Sequence, residues 1–93
     1  MKTIHKKIWP EYFELILSGK KQYELRLADF DISEGDLLVL EEWDPKTQSY
    51  TGRTIKKQAS YILKFKLDSF GQKKLIEKNG LYVIQFKNYD QKN

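Results

Sequence analysis

Cysteine is absent and histidine occurs once, as His5, among the 93 residues. Disulfides and thiolate metal sites are therefore excluded, and one imidazole with carboxylates alone is a poor ligand set for a transition metal, so neither a metal nor another cofactor is expected. Proline is nearly missing too, with Pro10 and Pro45 the two examples, and no run of apolar residues approaches the length needed to cross a bilayer. The start, Met1 to Lys7, carries charge without an uninterrupted apolar stretch behind it, so no secretory signal is expected and the cytoplasm is the expected location. Arginine is scarce as well: fifteen Lys against two Arg make the basic excess mostly lysine.

What is present is the composition of a globular protein, 40% hydrophobic, 14% aromatic and 32% charged. At this length one core is expected, hence a single domain over residues 1–93 with a polar tail from about residue 88. The net charge of +4 is unevenly spread. Residues 28–52 hold seven acids (Asp29, Asp31, Glu34, Asp36, Glu41, Glu42, Asp44) against Lys46 alone, while the remaining positions hold sixteen Lys/Arg against six acids. Segregated charge of this kind steers a polyanion toward one side of a small domain, although lysine-rich surfaces also serve solubility.

Periodicity supplies the elements. Thr3 to Ile8 reads as a strand with Ile4 and Ile8 on one face and His5 and Lys7 on the other. Pro10 suits a first helical turn, Glu11 and Glu14 complement its dipole, Tyr12, Phe13, Ile16 and Leu17 form an apolar stripe, and Ser18-Gly19 ends the helix. From Gln22 to Leu27 the period becomes two, which predicts a half-buried strand with Tyr23, Leu25 and Leu27 inward and Gln22, Glu24 and Arg26 outward. After a Ser33 to Asp36 turn, Leu37 to Trp43 reads as a strand buried on both faces. Asp44-Pro45 opens a hairpin connection that Gly52 closes, and Arg53 to Lys66 reads as a long strand. A helical turn is expected around Gln72 to Lys78 with Asn79-Gly80 as its stop, and a last strand over Leu81 to Phe86. Five strands and one packed N-terminal helix predict a mixed β fold, a small barrel closed on itself.

The Ser18-Gly19-Lys20-Lys21-Gln22-Tyr23-Glu24-Leu25-Arg26 segment resembles the activating signal cointegrator homology (ASCH) family of pseudouridine synthase and archaeosine transglycosylase (PUA)-like barrels. That family shows a helix ending in Gly, then x-Lys-x-x-Glu-x-Arg on a strand, which Gly19, Lys21, Glu24 and Arg26 match. The Pro10, Tyr12 and Leu17 pattern precedes it and a Gly35-Asp36 turn follows. The likeness runs over roughly residues 4 to 44, with Tyr82 to Phe86 as a closing strand. It implies an RNA- or modified-nucleoside-binding module with a ligand cleft between helix and barrel, acting as a monomer or weak dimer.

Independently of the family, period-two geometry gathers Lys21, Glu24 and Arg26 at one place, where two cations can hold phosphate or a ring carbonyl and the carboxylate can accept from a base edge. Lys7 is a candidate second lysine, and Tyr23 or Trp43 a candidate stacking face. The structural alternative is an exposed ion pair at Glu24 and Arg26, a solvated Lys21, and Tyr23 and Trp43 in the core. His5 is expected as a surface imidazole and Trp9 as a helix-entry packing residue.

Some relatives of the family are amidohydrolases acting on acetylcytidine, and others are proposed ribonucleases, which makes Lys21 and Glu24 candidate catalytic groups of a metal-independent hydrolase. In the amidohydrolase pattern a Thr nucleophile stands three positions after the Lys. Glu24 occupies that position here, so the module reading is preferred to the enzyme. A third reading has the acidic 28–52 region meeting a basic protein partner.

Overall fold

Ile4 and Ile8 stand two pleats apart on a strand, β1 (Thr3–Ile8), and Ile8 is buried. The chain leaves it through Trp9, whose extended backbone precedes Pro10 at the start of helix α1 (Pro10–Leu17). Proline is tolerated there because its missing N–H lies among the helix's unbonded donors. Ser18 N–H bonds to the Glu14 carbonyl at 2.9 Å, Gly19 N–H to that of Ile16 at 3.0 Å, and Lys21 N–H to that of Leu15 at 3.0 Å. Gly19 makes this exit at φ 82°, in the left-handed region open to glycine. The helix end thereby fixes where Lys21 emerges.

The computed structural model describes residues 1–69 and 71–89, which divide into two compact units, Met1–Leu63 and Lys64–Asn93. The first holds β1, α1, β2 (Leu37–Asp44) and β3 (Ser49–Gln58). β2 is central, parallel to β1 (Ile4 opposite Leu38, Ile8 opposite Glu42) and antiparallel to β3 (Leu40 opposite Ile55, Trp43 opposite Tyr50). Parallel pairing of consecutive strands needs a crossover, and α1 provides it.

Phe13 and Ile16 of α1 pack with Ile8, Leu38 and Leu40, while Ile4 and Ile55 close the margins of this core. Phe13 and Leu40 are its most fully buried side chains, each contributing about 1.5–3 kcal/mol of burial. At the start of β2, Asp36 Oδ1 accepts from Lys2 N–H and Oδ2 from Ser33 N–H, both at 2.9 Å. These two backbone donors, Lys2 first, hold the Asp36 carboxyl below its ordinary range.

The second unit contains α2 (Lys73–Asn79), ended by Gly80 at φ 76°, whose N–H bonds to the Ile76 carbonyl at 2.7 Å. Phe70 and the end of the expected polar tail, residues 90–93, lie outside the described residues. No helix among the described residues is long and apolar enough to cross a membrane.

The expected five-stranded closed barrel is replaced by a three-stranded open mixed sheet with two short helices. Three alternating segments fail to become strands as read. Gln22 to Leu27 joins no sheet, and its apolar side faces out: Leu25 is 70% and Leu27 81% exposed, whereas the polar side turns inward at Glu24. Charged side chains, not ladder bonds, hold this stretch in place. The long Arg53 to Lys66 strand instead starts at Ser49 and stops at Gln58, after which Ala59 bonds with Asp36 and Gly35 at the turn before β2. Leu81 to Phe86 carries no strand and is exposed throughout its apolar positions. Alternation makes a segment compatible with a sheet, but a strand exists only where an edge accepts it. The α1 stripe is also narrower than expected, because Tyr12 and Leu17 stay exposed.

Candidate functional site

Lys21 leaves the end of α1 and Arg26 lies five residues on, with Glu24 between them. Lys21 Nζ donates to Glu24 Oε1 at 2.7 Å, and Arg26 Nε donates to Glu24 Oε2 at 2.8 Å. Arg26 Nη2 reaches further, to the Lys7 carbonyl of the edge strand β1 at 2.7 Å. Because Glu24 keeps only 17% of its side chain exposed, these charge-assisted bonds are less screened than those of a fully solvated pair. The bonds from Lys21 and Arg26, the latter anchored on β1, explain why Glu24 turns inward.

The cluster lines a hollow of about 520 Å³ together with Lys7, Ile8, Trp9, Tyr12, Tyr23 and Leu25. Lys21 Nζ lies 5.0 Å from the Tyr23 ring centroid and 5.8 Å from that of Tyr12, a cation held among aromatic faces. Trp9, Tyr12 and Tyr23 are each exposed by more than a third. Two cations share one carboxylate, so the cluster carries one net positive charge. Lys21 has three N–H donors and Arg26 five, and the bonds to Glu24 and Lys7 engage one of the first and two of the second. The remaining donors suit a phosphate or ring carbonyl, and the flanking rings suit a planar group.

The structure therefore brings Lys21, Tyr23, Glu24 and Arg26 to one hollow, where Lys7 contributes its carbonyl. The Lys7 ammonium goes elsewhere, over the Trp43 ring at 4.5 Å and the Tyr50 ring at 5.7 Å. Trp43 accordingly stands away from the hollow, on the sheet face opposite the α1 core. His5 sits on that same face, its Nδ1 3.4 Å from Glu41 Oε2.

Sequence reasoning missed Trp9 and Tyr12, assigned to packing; their place beside Pro10, before the helix has a second turn to cover them, was the available signal. It also missed a second ion cluster. Arg53 bonds to Glu42 through Nε at 2.9 Å and Nη2 at 2.8 Å, Thr51 Oγ1 donates to Glu42 at 2.6 Å, and Glu14 of α1 completes the group. The Arg53 guanidinium lies 4.5 Å from the Phe13 ring centroid. Arg53, then Thr51, hold the buried Glu42 carboxyl below its ordinary range, and Glu42, then Glu14, raise the guanidinium's own. No group of three or more His, Asp and Glu among the described residues is placed to hold a metal ion.

Residues 4–74 match the family described as Domain of unknown function (DUF3850), and the chain belongs to that family. The match takes in β1, α1, the hollow, β2 and β3. An "Uncharacterized 12.9 kDa protein in GpA 3'region" of Escherichia phage P2 is 41% identical over 56 residues, which are 59% of this chain and 50% of that protein. The chain thus spans about half the length of the curated relative it matches. No solved structure matches the chain.

Proposed function

We propose that this member of the DUF3850 family is a binding module for RNA or a modified nucleoside, with a base seated in the hollow between α1 and the Lys21 to Arg26 segment. One observation carries the reading: a cluster of two cations and one carboxylate shares a concavity with the exposed rings of Trp9, Tyr12 and Tyr23. Nucleobases are planar and rimmed with acceptors and donors, and single-stranded RNA is recognised by stacking on aromatic faces with hydrogen bonds to base edges. A hollow of about 520 Å³ falls within the range of small-molecule sites. The resemblance of Gly19, Lys21, Glu24 and Arg26 to the ASCH motif supports the same ligand class. The reading places the module in the cytoplasm.

The 2.7 Å contact between Lys21 and Glu24 favours a second reading, a metal-independent hydrolase acting on acetylcytidine or RNA. Both Glu24 oxygens already accept from cations, which orders the carboxylate at the floor of the hollow, and Glu24 stands where the amidohydrolase pattern has its Thr nucleophile, so binding is preferred. Titrating nucleoside monophosphates and short single-stranded RNAs into the protein tests both. Binding weakened in Lys21→Ala and Arg26→Ala is the expected result. Turnover abolished by Lys21→Ala establishes the hydrolase instead, and affinity unaltered in both variants removes the site.

A further inference from the structure

The sheet face opposite α1 carries a second aromatic pair. Trp43 and Tyr50 are directly opposed across β2 and β3, on the parity opposite to the Leu38 and Leu40 side chains that pack in the core. Tyr50 is 54% exposed, and both rings are within reach of one ammonium, that of Lys7. Lys7 also belongs to the hollow, where Arg26 holds its carbonyl. One residue of an edge strand thus joins two aromatic sites, one through its main chain and one through its side chain.

Resting on the RNA reading of the hollow, we propose that Trp43 and Tyr50 form a second stacking subsite, so that the ligand is a single-stranded RNA segment crossing the edge of β1 rather than an isolated nucleoside. One base occupies the hollow, the backbone passes over β1 where the Lys7 ammonium meets a phosphate, and a neighbouring base stacks on the Trp43 and Tyr50 pair. Charge fits this occupant. On this face β3 adds Lys56, opposite Val39, and the strand has no acid between Ser49 and Gln58. Of the neighbouring acids, Glu42 is paired with Arg53 and Thr51 on the α1 face, Asp44 accepts from the Lys46 N–H at 2.8 Å, and Glu41 lies 3.4 Å from His5 Nδ1. Aromatic stacking with a cation at the flank is the sequence-tolerant way to hold single strands.

The test compares a nucleoside monophosphate with a tetranucleotide RNA on the whole chain, in the wild type, Tyr50→Ala and Arg26→Ala. Tyr50→Ala is expected to weaken the tetranucleotide on the order of tenfold while the monophosphate is unaffected, and Arg26→Ala to weaken both. A tetranucleotide that binds no more tightly than the monophosphate, or is indifferent to Tyr50→Ala, overturns the second subsite and leaves the hollow standing. Tetranucleotide binding sensitive to Tyr50→Ala but indifferent to Arg26→Ala keeps the stacking pair and removes the hollow. A lysine-rich peptide that binds through Tyr50 where RNA does not overturns the RNA assignment of this face, and binding of neither RNA ligand overturns both sites.

Discussion

The two ion clusters use the same chemistry in different settings. Lys21, Glu24 and Arg26 come from one short stretch of chain and sit at the rim of a hollow beside exposed rings. Glu14, Glu42 and Arg53 come from α1, β2 and β3, and the Glu42 side chain is only 4% exposed. A cluster assembled from three elements depends on the fold and ties it together. A cluster assembled from one segment, with donors left over, has more to offer a ligand than the core. The difference lies in where the carboxylate sits and how far apart in sequence its partners are, not in the number of charges.

The largest effect separating them is expected from Arg53→Met. It leaves the Glu42 carboxylate buried without its guanidinium, and the melting temperature should fall by on the order of 10 °C. The fraction that remains folded should bind RNA as before; calorimetry and titration read the two quantities. Lys21→Ala should do the reverse, lowering RNA affinity about tenfold while moving the melting temperature by no more than a few degrees, since partly solvated pairs contribute little to stability. Equal loss of stability in both variants would erase the distinction.

Acid should also separate the clusters. The folded-state carboxyls of Asp36 and Glu42 are held below their ordinary range. Their contribution is therefore complete above their unfolded values, about 3.9 and 4.3, and disappears as pH falls through the lower folded values. The melting temperature should be nearly flat from pH 7 to 5 on their account and fall below about pH 4. Asp36→Asn and Glu42→Gln, less stable at neutral pH, should show a shallower acid limb. The smallest effect is expected from Lys7→Gln, which should reduce the slope of log affinity against log salt by about 0.7, the value for one phosphate on a single strand.

Local features were legible in the sequence because they depend on near neighbours. β1 and α1 begin and end where Ile4 and Ile8, Pro10 and Ser18-Gly19 place them, and α2 falls at the expected turn. The closeness of Lys21, Glu24 and Arg26 was legible for the same reason. Pairing was not, since it depends on a distant partner. Leu81 to Phe86 has the alternation of a strand but pairs with none, and in Gln22 to Leu27 Glu24 is drawn inward while Leu25 and Leu27 face out, because Lys21 and Arg26 hold the carboxylate and Arg26 finds the Lys7 carbonyl. Alternation in β1 put Lys7 on the face away from Ile4 and Ile8, but its meeting with two aromatic rings was hidden. It follows from the register that sets Trp43 against Tyr50, which no local pattern announces.

Amide and side-chain NMR of the labelled protein during titration with a single-stranded RNA offers the sharpest decision. Resonances of residues 7–9, 12 and 21–26 should shift together and saturate at one concentration of RNA. Shifts confined to other parts of the chain, with Lys21, Glu24 and Arg26 unmoved, would contradict a ligand site in the hollow.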